Sequence, residues 1–517
     1  MRADQRWWNL SILVLLAAFG LRVWDLSARS LWFDEAMEFW VATASMANLA
    51  SSVRAGIQDP PLYSALLHVW MLIDHGEQHL RLLSVFFSLI TVAGALRLGR
   101  QLGGRSGGLI AGGLMSIVTS QIHYAQEVGQ YALMGTTLML GMIALQRLAT
   151  WRRPADYAVW ATLAVVSAYS YYGTVIAALV PFLVMATRDL ISKQWRRAAA
   201  CAVTLVCYSA AVTPLAVYFL PGQLFRGPTA GAFQISLMPF MTEVETVFRS
   251  TQQLVAFQFV GWPWTNIPEA LPAALLLVTV ALPRKPWSLH LEWLAATWII
   301  YYLASKFNLL PFGFRYGLIL MPLIVTQVGY SLSSALARNF RGFVAMVILA
   351  VLAIVCAVSL PNRAIRDRII ANAAWPWPET EDLRPIVAYW FKQRDAGQPT
   401  YVYYGATPAF GYYHQQISGI DTELPPNWFQ QCWRPDSAPY CHANGINYGR
   451  FFRGMPVEQQ IESIRSALPA GPEAFWIVFA HVYSDEDAQI LSGLAQNFTI
   501  ASSYSRAGAS AYLMRSR

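Results

Sequence analysis

Charge is scarce in this sequence. Asp, Glu, Lys and Arg make up 13% of its 517 residues, about half the share found in an average soluble domain. Three or four soluble domains of this total length would each need a polar surface, and the charges to build those surfaces are missing. Cysteine is sparse as well. Cys201, Cys207 and Cys356 fall in apolar runs, where Cys serves as a small apolar residue. Cys432 and Cys441 lie in the tail, where a disulfide closing a short loop is expected in an oxidising compartment. A metal pair there would need a second Cys or His couple at ligand spacing, and none follows. Internal repeats, low-complexity tracts and charge runs are also missing. What is abundant is apolar: 56% of the residues are hydrophobic, with 20 Trp, 24 Tyr and 26 Phe. The apolar residues gather in long runs before residue 360 and thin out after it.

Lys and Arg outnumber Asp and Glu by 37 to 29, which would point to nucleic acid if the surplus shared one surface. It lies instead in short segments. Residues 1–7, 97–106, 147–156, 188–197, 284–288 and 338–342 hold sixteen Lys or Arg against three Asp, which leaves the rest of the chain net acidic. Short loops rich in Lys and Arg stay in the cytoplasm, so the surplus reports topology and no nucleic-acid partner is expected.

Since about 20 apolar residues cross a bilayer, we read about eleven spans, near 8–26, 80–100, 107–123, 130–148, 156–171, 173–188, 197–219, 266–283, 288–306, 314–336 and 341–360. With Arg2 and Arg6 placing the N-terminus in the cytoplasm, this alternation puts every basic segment on the cytoplasmic side and residues 361–517 outside. The first span has a signal peptide's position but continues into WDLSARSLWFDE without a cleavage site, so it is expected to stay as an anchor. The fold class is a polytopic α-helical membrane protein, with residues 1–360 as the membrane domain and 361–517 as a soluble α/β domain. Long outer loops are expected at 27–79 and 220–265. Within the first, AMEFWVATASMANLASSVRAG and PPLYSALLHVWMLI are helical in pattern but too short or too polar to span, and should lie along the outer membrane surface. In the tail we expect strands at 400–405 and 475–482, a helix at about 485–496 and a closing strand pair around 498–515.

The strongest candidate for chemistry is LWFDEAMEFW at 31–40, where Asp34 and Glu35 follow the first span. Asp caps helices well and Glu suits a first turn. An acid pair among Trp32, Phe33 and Phe39 is nevertheless unfavourable to bury, and such carboxylates mark sites. Asp59 precedes Pro60 and Pro61, so it is either a carboxylate handed to a surface helix or that helix's cap. HYAQEVGQYAL at 123–133 sets His123, Gln126, Glu127 and Tyr131 in a tight outer hairpin. For positive charge on the outer face the favoured candidates are Lys306 and Arg315, which bracket FNLLPFGF at 307–314, with Tyr316 beside the latter. These three can anchor the interface, yet a guanidinium is also shaped to hold a lipid phosphate with two hydrogen bonds. Two other motifs fail. HGEQH at 75–79 is not H-E-x-x-H, and LGGRSGGLIAGG at 102–113 has no strand before it and no Lys-Ser or Lys-Thr after it, so it is not a nucleotide loop.

The order of these features resembles a family. A first span, an outer Asp-Glu pair, D-P-P-L-Y at the end of an amphipathic loop, Gly76, Glu77 and Arg81 opening the second span, a Q-E-x-x-x-Y-A-L hairpin and a late Arg-Tyr look like the lipid-linked sugar transferases of the GT-C superfamily. The nearest branch is that of the protein O-mannosyltransferases and the aminoarabinose transferases of lipid A, families 39 and 83. The resemblance covers about residues 8–336. It implies Asp34 as the family's catalytic acidic position with Glu35 its partner, and Arg315 and Tyr316 near the donor phosphate; beside these, Lys306, Glu127 and Tyr131 are candidates for donor or phosphate binding, and Asp59 and His123 for acceptor or auxiliary groups. It further implies a polyprenyl-phosphate sugar as donor and an envelope lipid, glycan or protein as acceptor, at the outer face of a bacterial inner membrane. It names no definite cofactor and leaves a divalent metal open. Two positions depart from the pattern: Gly129 stands where relatives carry Arg, and Asp59 where they carry His or Lys. The rival reading is a transporter or flippase, which places its acids at the bilayer midplane on helices related by a repeat. Here the acids inside the expected spans, Asp25, Asp156, Glu269 and Glu292, all lie within five residues of a span end.

Overall fold

In the computed structural model of the chain, residues 2–54, 60–221, 251–255, 270–281, 289–307, 314–336, 339–359, 381–419, 440–443, 445–449, 455–483 and 485–517 are described, with isolated residues at 249, 258–259 and 309–310. Asp59, Cys432 and most of the loop 220–265 lie outside them, so the expected disulfide does too. In chain order the helices as far as residue 359 are α1 (Arg2–Val23), α2 (Phe33–Thr43), α3 (Met46–Arg54), α4 (Leu62–Trp70), α5 (Glu77–Ile117), α6 (Thr119–His123), α7 (Tyr131–Trp151), α8 (Pro154–Ser170), α9 (Thr174–Ile191), α10 (Trp195–Pro214), α11 (Ala270–Ala281), α12 (Leu289–Lys306), α13 (Met321–Leu336) and α14 (Asn339–Ser359). Among the described residues, six helices are long and apolar enough to cross a bilayer: Asp4–Val23, Glu77–Ile117, Tyr131–Trp151, Thr174–Ile191, Trp195–Phe219 and Arg315–Leu336. The chain is a multi-pass membrane protein.

The expected spans 80–100 and 107–123 meet inside α5, which breaks at Gly103 and Gly104. Gly104 has φ +68°, a conformation that glycine adopts without the Cβ penalty. The two halves then fold back on each other at very short range. A Cβ at Gly99 would lie 2.6 Å from the Gly107 carbonyl oxygen, and one at Gly108 would lie 2.6 Å from that of Leu96. The glycine-rich segment that fails as a nucleotide loop is therefore the seam of a helical hairpin, where small residues allow backbones to touch.

The chain divides into two compact units, Met1–Leu26 with Asp59–Leu66 and Gln78–Arg363, and Ser27–Gln58 with Leu67–Glu77 and Ala364–Arg517. The expected division at residue 360 assigns residues 27–58 and 67–77 to the membrane domain, whereas they cluster with the tail. Hydrogen bonds within the second unit explain the difference. Ser30 Oγ donates to Asp382 Oδ1 at 2.9 Å and accepts from the Arg384 N–H at 3.1 Å. The Arg384 guanidinium reaches the Ser27 carbonyl at 2.8 Å and Glu77 at 3.3 Å. The long helix expected across residues 36–56 is in fact two, because Ala44 is extended and ends α2. Ser45 Oγ accepts from the Asn48 N–H at 3.4 Å to start α3, as an N-cap does. Nor does α2 lie open on a surface: eight of its eleven residues are buried, and Phe39 packs edge-on against Tyr412 at 4.9 Å.

The tail of this unit holds β1 (Thr400–Val402), β2 (Tyr440–Ala443), β3 (Ile446–Gly449), β4 (Ala474–Ala480), β5 (Phe498–Arg506) and β6 (Ala509–Ser516), with helices α15 (Leu383–Gln393), α16 (Thr407–Ser418), α17 (Val457–Ala467) and α18 (Glu486–Leu494). The strands form one mixed sheet in the order β2-β3-β1-β4-β6-β5, with β1 parallel to both β3 and β4. Strand β4 is central, and its residues from Phe475 to Ala480 are buried. That is the pattern of a strand covered on both faces. Phe475, Ile477 and Phe479 pack with Ile464, Ile490 and Leu494. The expected strands near 400 and 475, the helix near 490 and the closing pair are all present. The β2–β3 hairpin was not expected, since it is short and lacks the alternation that marks longer strands.

Just past β1, Gly405 lies against the end of β4. A Cβ there would meet the His481 and Ala480 carbonyl oxygens at 2.5 and 2.7 Å, and backbone cannot yield as a side-chain tip can. We expect Gly405→Ala to lower the unfolding free energy of this unit by about 1 to 3 kcal/mol, measured as an earlier thermal transition. An unchanged transition would show that the two strand ends separate freely.

Candidate active site

Asp34 and Glu35 stand in the first turn of α2. The N-cap position is Trp32, extended at φ −88° and ψ 178°, and it makes no side-chain cap hydrogen bond. Asp34 is therefore the second helical residue and not the cap, which removes the simplest structural explanation for it. Glu35 does have a local role: its Oε2 accepts from the Trp32 N–H at 3.4 Å, as the third residue of a capping box does. Glu35 and Glu38 are both buried.

Sequence reasoning missed two groups beside this turn. The Phe33 N–H, one of the helix's first four amides without an intrahelical partner, donates to Glu381 Oε2 at 3.1 Å. The other oxygen of Glu381 is hydrogen-bonded to His481 Nδ1, and the His481 ring stacks on that of Phe33 with centroids 4.4 Å apart and planes at 17°. Glu381 and His481 are buried. Burial pushes the Glu381 carboxyl up, His481 pulls it back through charge and hydrogen bond, and the charge of Asp34 pushes it up again. That last effect places Asp34 within electrostatic reach of the pair. Nothing local in the sequence marks Glu381 or His481, because they lie about 350 and 450 residues after Asp34.

The remaining candidates belong to the helical unit. After α6 the chain makes a 3-10 turn over Tyr124–Gln126, and Glu127 is extended before α7 begins at Tyr131. His123 Nε2 and Glu127 Oε2 are 3.8 Å apart. Arg315 lies in the 3-10 segment Phe314–Leu320. Its guanidinium carbon is 5.5 Å from the ring centroids of both Tyr131 and Tyr316, within range for a cation over an aromatic face. Tyr171 completes the group, stacked with Tyr316 at 6.4 Å and 6.4 Å from Tyr131. Tyr171 escaped notice as the last residue of a span; Gly173 makes room for it, since a Cβ there would come within 2.5 Å of its ring. Lys306 closes α12 and is half-buried. At Gly129 a Cβ would meet nothing nearer than 3.8 Å, so packing does not impose glycine there.

Two residues of the family-like motifs hold backbone carbonyls. Gln126 Nε2 donates to the Arg22 and Trp24 carbonyls at 2.9 and 2.8 Å, and Arg81 Nη1 donates to the Leu26 carbonyl at 2.8 Å. Together they satisfy carbonyls at and just beyond the C-terminal end of α1. Fully buried Arg22 ties α1 to both halves of α5 through Ser88 Oγ at 2.8 Å and the Met115 and Ser116 carbonyls at 3.1 and 3.0 Å. Among the described residues, no group of three or more His, Cys, Asp or Glu is placed to hold a metal ion.

Residues 58–213 match the family described as dolichyl-phosphate-mannose-protein mannosyltransferase. ArnT from Cupriavidus metallidurans superimposes over nearly the whole length. With undecaprenyl phosphate bound, its TM-score is 0.54 at 13% identity, covering 98% of each chain. In its apo state the score is 0.55 at 11% identity, covering 99% of this chain and 98% of that one. The chain has an ArnT-like GT-C fold. No curated protein sequence matches it. Within this GT-C fold, the family match runs from just before α4 to α10 and includes the hairpin of His123, Glu127 and Tyr131. Asp34, Arg315 and the tail lie beyond it.

Proposed function

We propose that this GT-C protein is an inverting glycosyltransferase that takes a sugar from a polyprenyl-phosphate donor at the outer membrane face. The observation that carries the reading is the end-to-end GT-C fold together with an Asp, at position 34, in the second position of a buried helix and not at its cap. The acceptor O–H proton passes to Asp34, the acceptor oxygen bonds to the anomeric carbon from the side opposite the phosphate, and the carbon–oxygen bond to phosphate breaks with its electron pair going to phosphate. A phosphate leaving group needs little general acid; it needs a cation and a held geometry. Arg315 is the cation, with Tyr131, Tyr171 and Tyr316 forming its aromatic surround. Glu127, His123, Lys306 and Asp59 are auxiliary groups for donor or acceptor.

Full-length protein in detergent or nanodiscs, given polyprenyl-phosphate mannose, glucose or aminoarabinose with envelope lipid, glycan and protein fractions, should release polyprenyl phosphate, detected by mass spectrometry. Failure with all donors and acceptors would overturn the reading. Topology offers a separate check: a reporter active only outside the cytoplasm should work when fused at Arg517, and one active only inside should not.

A further inference from the structure

We propose that Glu381 and His481 are positioning residues for Asp34, so that the C-terminal part of the chain takes part in the chemistry by holding the base in place. The proposal rests on the reading of Asp34 as the base, and its geometry lies entirely within one compact unit.

Two contacts meet on Phe33, the residue before Asp34, and a third joins the groups that make them. Glu381 accepts its backbone N–H, His481 covers its ring, and His481 holds the other carboxylate oxygen of Glu381. The hydrogen bond fixes the Trp32–Phe33 peptide, one residue before Asp34, and the stacked ring holds the Phe33 side chain. His481 can do this because it leaves β4 with φ +51°, a left-handed turn that few non-glycine residues adopt. Such a conformation persists only where the surroundings impose it, and here the end of β4 is pressed against Gly405. The chain continues the attachment on the other side: Asp382, next to Glu381, accepts from Ser30 Oγ, and the Leu31 N–H donates to the Tyr413 hydroxyl at 2.5 Å. The segment entering the Asp34 turn is thus held by the tail at residues 30, 31 and 33. A catalytic group tolerates only about 0.5 Å of displacement before its geometry is lost, so this attachment acts on turnover more than on donor binding.

The test uses full-length protein and four variants: Glu381→Gln, Glu381→Ala, His481→Asn and His481→Ala. Gln keeps an oxygen for the Phe33 N–H, and Asn tolerates positive φ while offering an N–H to Glu381. Hydrogen exchange of the peptide spanning residues 31–38 should speed up at least about tenfold in both Ala variants and stay within about threefold of wild type in Gln and Asn. On whichever donor of the panel is turned over, kcat should fall about 10- to 100-fold in the Ala variants with KM for the lipid donor within about twofold, and Gln and Asn should recover most of it. Wild-type exchange and wild-type kcat in Glu381→Ala would overturn the proposal, as would equal losses in Ala and Gln. Should Asp34→Asn turn out fully active, the base reading fails by itself, while the exchange measurement still reports whether the tail holds the turn.

Discussion

Asp34→Asn should reduce turnover by about 100- to 10,000-fold while lipid-donor binding survives, the range expected for loss of a general base. Asn keeps the size and shape of Asp but cannot take the acceptor's proton. The structure sharpens this test, because Asp34 occupies the second position of α2 and the cap position belongs to Trp32. Loss of its charge near the helix N-terminus costs about 0.3 to 1 kcal/mol, and the thermal transition of the variant separates any loss of folding from the loss of turnover. Glu35→Gln should be milder, since a Gln side-chain oxygen can still accept the Trp32 N–H. Steady-state rates with each variant, alongside its thermal transition, check both statements. A well-folded Asp34→Asn protein that transfers sugar at a near-normal rate would remove Asp34 as the base and turn attention to Asp59 and Glu127.

Arg315→Ala should weaken use of the polyprenyl-phosphate sugar by roughly ten- to over a hundred-fold, corresponding to about 1.5 to 3 kcal/mol for one charge-assisted contact. Lys306→Ala should do far less. Only a guanidinium offers two parallel N–H groups to a phosphate, and Arg315 is the cation set against Tyr131 and Tyr316. Arg315→Lys should recover the charge without the two-pronged match and fall between. Donor titrations of kcat/KM for the three variants decide the matter; equal, small effects of Arg315→Ala and Lys306→Ala would make both residues interfacial anchors.

Much of the architecture was legible in the linear pattern, because a bilayer imposes a simple rule on sequence. Backbone polar groups in hydrocarbon must be satisfied within the segment, so helices reveal themselves as long apolar runs; among the described residues each expected run carries helix, and six helices are long and apolar enough to cross. The tail's main strands could be read for a related reason: β4 is buried on both sides, and its run FWIVFA has no polar interruption. Asp34 stood out because acids among aromatic residues are unusual wherever they occur.

Tertiary structure alone decided the rest. The partition of the chain was not local, since the segment 27–58 clusters with the tail through partners such as Asp382 and Tyr413, which lie more than 300 residues away. The environment of Asp34 depends on Glu381 and His481 for the same reason. Tyr171 joined the aromatic group around Arg315 only once the helices were packed. Even the motif residues changed meaning, as Gln126 and Arg81 proved to hold carbonyls at and just beyond the end of α1. Spans and strands are properties of a residue's immediate neighbours in the chain, which the sequence records directly. Which carbonyl an Arg will cap, or which carboxylate will face a helix's first amide, depends on contacts between distant segments, and those exist only when the chain has folded.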